Sequence, residues 1–197
     1  HWFRIHTTCV RFGSSFVSLE CGVRQGGVLS PHLFNLYIDD VINRISNSKY
    51  CCNVRFACVS IFMYADDLIL MSPSITVLQK LFNIVEDELM ALEMSINPSK
   101  SSCIRFGPRH DALCANITAH DGSDIPWVKS IRYLGIEMKS SRVFKCVFDT
   151  AKKSFYKAFN AIFGKIGRSV TAEVVMHLLK VKCLPILLYG LNACPLN

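Results

Sequence analysis

The sequence predicts an α+β fold: an antiparallel sheet with helices on one face, followed by a basic helical region. Short apolar runs rich in β-formers flank tight turn signals, as at Ser60–Met63 and Leu68–Met71 on either side of Asp66-Asp67. Two segments repeat apolar residues at helical spacing between these strand runs, an order that suggests helices layered on a sheet. After Ser140 the chain changes character, and phenylalanines alternate with lysines over a long helical period.

Taken in order, Val10–Phe12 and Phe16–Leu19 flank Gly13-Ser14-Ser15 and read as a hairpin. A glycine-rich loop follows, Gly22-Val23-Arg24-Gln25-Gly26-Gly27-Val28-Leu29-Ser30-Pro31. Its glycines permit positive φ and close backbone approach to a ligand. Ser30 reads as an N-cap and Pro31 as the first residue of a helix to about Ile45, buried through Leu33, Phe34, Tyr37, Ile38, Val41, Ile42 and Ile45. A loop of this kind before a helix N-terminus suits a phosphate- or ribose-bearing ligand, and equally reads as a plain connection. Asp39 and Asp40, in mid-helix, read as solvated.

The strand pair around Asp66-Asp67 leaves room only for a tight hairpin, expected to hold both acids at the tip of a largely buried ribbon. A second helix is expected over about Val77–Glu93, capped by Ser74 or Thr76 and buried through Leu78, Leu81, Phe82, Val85, Leu89 and Leu92. Asn97-Pro98 ends it. Lys100 then stands before a strand expected over Ser101–Phe106. Ile117–His120 and Ile125–Trp127 read as hairpin arms around Asp121-Gly122. Ile131–Met138 reads as a strand that includes Gly135. One long helix is expected over Arg142–Ile166, broken at Gly164 and Gly167. Another runs from Ala172 to about Lys182, capped by Thr171 and ended or kinked by Pro185.

Chemistry concentrates at Asp66-Asp67. Ionised carboxylates in an apolar setting are costly unless paired or cation-bound, and adjacent ones repel. A divalent ion removes both costs, and carboxylate oxygens suit Mg²⁺ or Mn²⁺. Asp-Asp is also a common turn dipeptide, so the motif alone does not decide. The 197 residues carry a formal charge of +7 with 51% hydrophobic residues, which favours an anionic partner, nucleic acid first. Arg142, Lys145, Lys152, Lys153, Lys157, Lys165 and Arg168 face Asp149 as the sole local acid, forming the clearest basic patch. The apolar stretches near Ser60–Met71 and Leu184–Leu196 read as too short or interrupted to span a bilayer, and no membrane partner is expected. Ten cysteines contain no Cys-x-x-Cys pair, so they read as reduced apolar residues in an intracellular compartment.

Together these segments resemble the reverse transcriptases of non-LTR (LINE-type) retrotransposons. The glycine loop through Pro31, followed by Leu33-Phe34-Asn35, resembles the family's second palm motif. Tyr64-Ala65-Asp66-Asp67 resembles its catalytic hairpin, Asn97–Phe106 with Lys100 the next motif, and Tyr133-Leu134-Gly135 the primer grip. The basic helices from about Arg142 resemble the thumb, and Pro185-Ile186-Leu187-Leu188-Tyr189-Gly190 matches a run near its end. The motifs stand in the family's order, which is more specific than any one of them.

The resemblance implies a partial right-hand polymerase palm over residues 1–140, without fingers, and a helical thumb over 141–197. It implies two-metal nucleotidyl transfer with Mg²⁺ or Mn²⁺, an RNA template, a DNA primer and deoxynucleoside triphosphates. Asp66, Asp67 and Lys100 would be catalytic residues, the two aspartates as metal ligands and Lys100 near the triphosphate as an acid for the leaving pyrophosphate. Arg24, Gln25, Gly26, Gly27, Ser30, Tyr64 and Ala65 would contact template and nucleotide. Tyr133, Leu134 and Gly135 would hold the primer, and the thumb cations would neutralise duplex phosphates. The chain is expected in nucleus and cytoplasm. The family also needs an aspartate upstream of the glycine loop, and residues 1–21 hold none. The chain therefore reads as a fragment inactive by itself, with a non-catalytic nucleic-acid-binding remnant as the alternative.

Overall fold

A computed structural model describes residues 8–12, 15–19, 27–166 and 170–194, the first two stretches through their backbone. Arg24, Gln25, Gly26 and Arg168 lie outside the described residues. The chain divides into two compact units, His1–Ser95 and Ile96–Asn197. Helices and small antiparallel sheets alternate through both, as the α+β expectation requires. Among the described residues the strands do not join one sheet. They form four two-stranded ribbons and one three-stranded sheet.

The first unit begins with the hairpin of β1 (Thr8–Phe12) and β2 (Ser15–Leu19), paired so that Phe12 faces Ser15. Helix α1 (Ser30–Ser46) starts one residue early. Leu29 takes the N-cap position with φ −86° and ψ −15°, Ser30 is already helical, and no side chain caps the end. The Ser30 N–H instead donates to the Gly27 carbonyl at 3.2 Å. The short ribbon β3 (Asn53–Val54) and β4 (Ala57–Cys58) leads to a second ribbon, β5 (Ile61–Tyr64) and β6 (Asp67–Leu70). Helix α2 (Ile75–Ala91) follows a Ser74 N-cap.

The core of this unit is what the helical spacing selects. Ile38, Val41 and Ile45 of α1 meet Leu81, Phe82, Val85 and Leu89 of α2, with Ile61 of β5 buried nearby. Burying each such side chain contributes about 1.5–3 kcal/mol. The Tyr37 hydroxyl donates to the Leu92 carbonyl at 3.0 Å, tying the end of α2 to α1. An exposed Arg44–Glu88 pair at 3.3 Å adds little. Ser60, fully buried, accepts the Cys52 N–H at 2.7 Å, so its hydroxyl is not left unsatisfied.

In the second unit the strand expected over Ser101–Phe106 is absent. The segment makes a single bridge, Cys103 with Trp127. Asn97 supplies the local reason: its side-chain oxygen accepts from the Ser99 N–H and hydroxyl, and its carbonyl accepts from Lys100, Ser101 and the Ser101 hydroxyl. That turn network competes with extended pairing. Strands β7 (Ile117–Thr118) and β8 (Asp124–Ile125) form the hairpin expected around Asp121-Gly122, with Gly122 at φ +83°.

Two further expectations are corrected here. Ile131–Met138 is a hairpin rather than a strand: β9 (Ser130–Tyr133) turns at Leu134-Gly135 into β10 (Ile136–Lys139). The helical period from Arg142 also begins too early. Lys145–Val147 is a strand, β11, paired with β10, and helix α3 runs only over Asp149–Ile166. Apolar residues at Phe144, Val147 and Phe148 satisfy a helical period by chance, while the open edge of β10 claims the backbone. Gly164 lies inside α3.

The C-terminal run comprises α4 (Ala172–Leu178), a π-helical turn (Leu179–Cys183), α5 (Leu184–Leu188) and a 3₁₀ turn (Leu191–Ala193). The widened turn stands just before Pro185, which has no N–H to continue an α-helical ladder. Val175, Leu179 and Cys183 face Phe159, Ile162, Phe163 and Ile166 of α3. By length and composition alone, Ala172–Ala193, at mean hydropathy 1.7, suffices to cross a bilayer. In this region the sequence reading weighed Leu184–Leu196, a stretch that begins twelve residues later.

The reduced-cysteine expectation is corrected for two pairs. Cys51 is joined to Cys58 and Cys146 to Cys194. Neither pair has a spacing signature, because a tight turn brings together the first and the chain's return to β11 the second. Cys52, Cys103, Cys114 and Cys183 are free thiols.

Candidate active site

The β5–β6 ribbon positions the acidic pair. Ile61 faces Leu70 and Tyr64 faces Asp67, so the turn consists of Ala65 and Asp66 alone. Ala65 takes φ +52°, whereas Asp66 is absent from the positive-φ residues. A positive φ at the first central position of a two-residue hairpin turn normally belongs to glycine. Holding an alanine there stores on the order of 1 kcal/mol of strain. The turn separates the two acids in role: Asp66 sits at the apex, and Asp67 is the first residue of β6.

The ribbon is less buried than its composition suggests. Ile61 is buried and Met63 half-buried, but Tyr64, Ala65, Asp66 and Asp67 are all exposed. The desolvation argument for a bound cation therefore fails. A different one replaces it. Among the described residues neither carboxylate has a hydrogen bond or ion pair to a protein group, so both are free to act as donors. Mg²⁺ typically takes one or two protein carboxylates and completes its octahedron with water and substrate phosphate oxygens. Asp66 and Asp67 fit the protein's part of that set. No cluster of three or more His, Cys, Asp or Glu side chains occurs among the described residues.

Helix α1 packs against β5. The same unit thus carries Gly27 and Ser30, at the start of α1, and the acidic hairpin. Asp39, exposed on α1, accepts from Asn43 at 2.9 Å, which supports its solvated reading.

The second unit holds the other candidate residues. Lys100 is exposed in the Asn97 turn. Leu134 and Gly135 form a two-residue turn with φ +45° and +82°, the type I′ pattern. The Tyr189 hydroxyl donates to the Leu134 carbonyl at 2.9 Å. A Cβ on Gly135 would come within 3.0 Å of the Tyr189 ring, and one on Gly190 would overlap Ile136. At both positions the positive φ, +82° and +71°, favours glycine, and a side chain would also force Tyr189 or Ile136 to shift. Sequence reasoning marked both segments without seeing that they touch. Lys152, Lys153, Lys157 and Lys165 are exposed on α3, Lys145 is exposed on β11, and Arg142 is exposed on the loop before it.

Two thiols and a carboxyl complete the electrostatics. Burial, with a smaller contribution from Cys114, pushes the Cys103 thiol up to about 11, so it stays protonated as a small apolar group. The Arg105 guanidinium donates to Cys114 Sγ at 2.7 Å. The Ser123 hydroxyl and N–H donate to Asp121 and hold its carboxyl below the usual range.

The ordered motifs and the Tyr-Ala-Asp-Asp turn define a class, that of nucleic-acid polymerases with an acidic catalytic hairpin. The family model for reverse transcriptase (RNA-dependent DNA polymerase) matches residues 2–138, and the chain belongs to that family. Curated relatives point to retrotransposons. The chain is 24% identical over 185 residues to the Retrovirus-related Pol polyprotein from type-1 retrotransposable element R2 of Popillia japonica, covering 90% of this chain and 29% of that protein. It is 29% identical over 132 residues to the Pol polyprotein from type-2 retrotransposable element R2DM of Drosophila melanogaster, covering 64% and 12%. It is 26% identical over 150 residues to the RNA-directed DNA polymerase from mobile element jockey of Drosophila funebris, covering 72% and 16%. The chain thus spans less than a third of each of these relatives. No solved structure matches it. The resemblance to non-LTR retrotransposon reverse transcriptases is borne out.

Proposed function

We propose that this chain is the palm and thumb portion of an RNA-directed DNA polymerase, with palm over residues 1–140 and thumb over 141–197. The observation that carries the reading is the β5–β6 hairpin: two solvent-open carboxylates without protein partners, at the turn of a ribbon packed on the helix that follows the glycine loop. Asp66 and Asp67 would hold Mg²⁺ or Mn²⁺, which when bound lowers the pKa of a coordinated hydroxyl and neutralises phosphate charge. The strained turn fixes where Asp66 points before any substrate arrives. The loop from Arg24 to Ser30, with Tyr64 and Ala65, would contact template and incoming deoxynucleoside triphosphate. Lys100 would neutralise triphosphate charge. The Tyr133-Leu134-Gly135 turn, held by Tyr189, would present backbone to the primer. Arg142, Lys145, Lys152, Lys153, Lys157, Lys165 and Arg168 would bind duplex phosphates without sequence preference. Nucleus and cytoplasm are the compartments this work requires.

Within this reading the 197 residues alone do not extend a primer, because the family's upstream aspartate has no counterpart in residues 1–21. Robust Asp66-dependent extension of an RNA-templated primer by this chain would overturn that. The test of the site itself is binding. The chain binds a deoxynucleoside triphosphate only with Mg²⁺, and Asp66→Asn abolishes the dependence. The alternative, a non-catalytic remnant, is favoured by the basic surface of α3. It predicts RNA–DNA hybrid binding indifferent to both Mg²⁺ and Asp66→Asn.

A further inference from the structure

Among the described residues, the ribbon just before the acidic hairpin carries one of the most exposed apolar side chains. β3 and β4 contribute two residues each, and their turn is Arg55-Phe56. Phe56 is 105% exposed and Val54 61%, so the ring makes no contact that hides it from water. Arg55, also exposed, takes φ +57°, a conformation that costs a non-glycine residue about 1–3 kcal/mol.

A mobile loop tip could relax such strain, but this one is held at its base. The Cys51–Cys58 disulfide crosses the two arms, the Val59 N–H donates to the Cys52 carbonyl at 2.8 Å, and buried Ser60 accepts the Cys52 N–H. The ring is therefore displayed on a braced support. Arg55 sets a cation next to Phe56 in the turn, and further cations lie in the chain leading to the ribbon. Lys49 and Lys80 both stand over the Tyr50 ring, 5.3 and 5.1 Å from its centre. From Val41 to Ala65 the chain carries Arg44, Lys49 and Arg55 and no acidic residue.

We infer that the Arg55-Phe56 turn is a contact site for single-stranded nucleic acid, with Phe56 stacking on an unpaired base and Arg55 meeting the adjacent phosphate. An isolated aromatic face beside cations is the chemistry that binds unpaired bases without regard to sequence. A protein partner would bury a patch of apolar side chains, whereas here the polar or charged Asn53 and Arg55 alternate with the exposed Val54 and Phe56. The inference rests on the nucleic-acid-binding reading above, and the following experiment separates the two.

Binding of the full 197-residue chain to a fluorescein-labelled 20-nucleotide single-stranded RNA is measured by anisotropy at two salt concentrations. The same titration uses a 20-base-pair RNA–DNA hybrid. Phe56→Ala weakens single-strand binding about tenfold, leaves hybrid binding within about twofold, and is rescued by Phe56→Trp. Arg55→Gln lowers the salt slope by about one phosphate contact. Because Phe56 is fully exposed, its variants keep the wild-type melting temperature, which checks folding directly. Equal single-strand affinity of Phe56→Ala and wild type, with binding lost in Lys152→Ala/Lys153→Ala/Lys157→Ala, overturns the turn as a contact while leaving the broader reading intact. No binding of either probe overturns both. A Phe56→Ala variant that instead abolishes a dimer seen by sedimentation makes a second copy of this chain the partner and also overturns the proposal.

Discussion

Two hairpins of the same size behave in opposite ways. The acidic turn Ala65-Asp66 and the turn Leu134-Gly135 each join four-residue strands through two residues, and each forces a non-glycine residue to positive φ. The first is open: its tip is exposed and its carboxylates meet no described protein group. The second is clamped, since Tyr189 reaches the Leu134 carbonyl and its ring stands against Gly135. Below the clamp, Cys146–Cys194 fastens the end of the C-terminal run to β11. The difference teaches that turn length alone does not decide whether a hairpin tip stays open to solvent. The open turn leaves its carboxylates to solvent, and the clamped one is packed and hydrogen-bonded to Tyr189.

The largest effect expected is at the clamp's fastening. In a chain carrying Cys51→Ser and Cys58→Ser, reducing Cys146–Cys194, 48 residues apart, removes about 4 kcal/mol by the chain-entropy estimate. Urea unfolding with and without reductant reads it, and superimposed curves would mean that the bond contributes nothing. Next comes Gly135→Val, which combines positive φ with the tight approach of Tyr189 and costs about 2–3 kcal/mol. The matching change at the open turn goes the other way. Ala65→Gly relieves strain with no neighbour to lose, and raises stability by about 1 kcal/mol. If it destabilises instead, the contrast between the hairpins is wrong. Tyr189→Phe removes one exposed hydrogen bond and costs about 0.5 kcal/mol.

The smallest effect concerns Asp121, whose carboxyl is held below its ordinary pKa chiefly by the Ser123 hydroxyl. A depressed carboxyl stabilises the fold above its unfolded-state pKa, and that stabilisation is lost as pH falls through the lower folded value. Ser123→Ala moves the Asp121 titration upward and lessens this acid sensitivity. A carboxyl-carbon NMR titration checks the direction. Asp121 is fully exposed, so the thermal midpoint should hardly change.

Helical periodicity by itself determined the packed faces of α1 and α2, because Ile38, Val41, Ile45, Leu81, Phe82, Val85 and Leu89 recur where a 3.6-residue turn buries them. The acidic hairpin was equally legible, since an apolar run on each side of two turn residues leaves one short connection. Motif order alone marks the chain as similar to reverse transcriptases. What only the tertiary structure decided depends on partners distant along the chain. The edge of β10 turned Lys145–Val147 from helix to strand, and the Asn97 network withheld a strand from Ser101–Phe106. Folding also joined Cys146 to Cys194, seated Tyr189 on Leu134, and left Asp66 and Asp67 in water. Local periodicity cannot report these, because each arises from a contact between segments whose spacing the sequence does not encode locally.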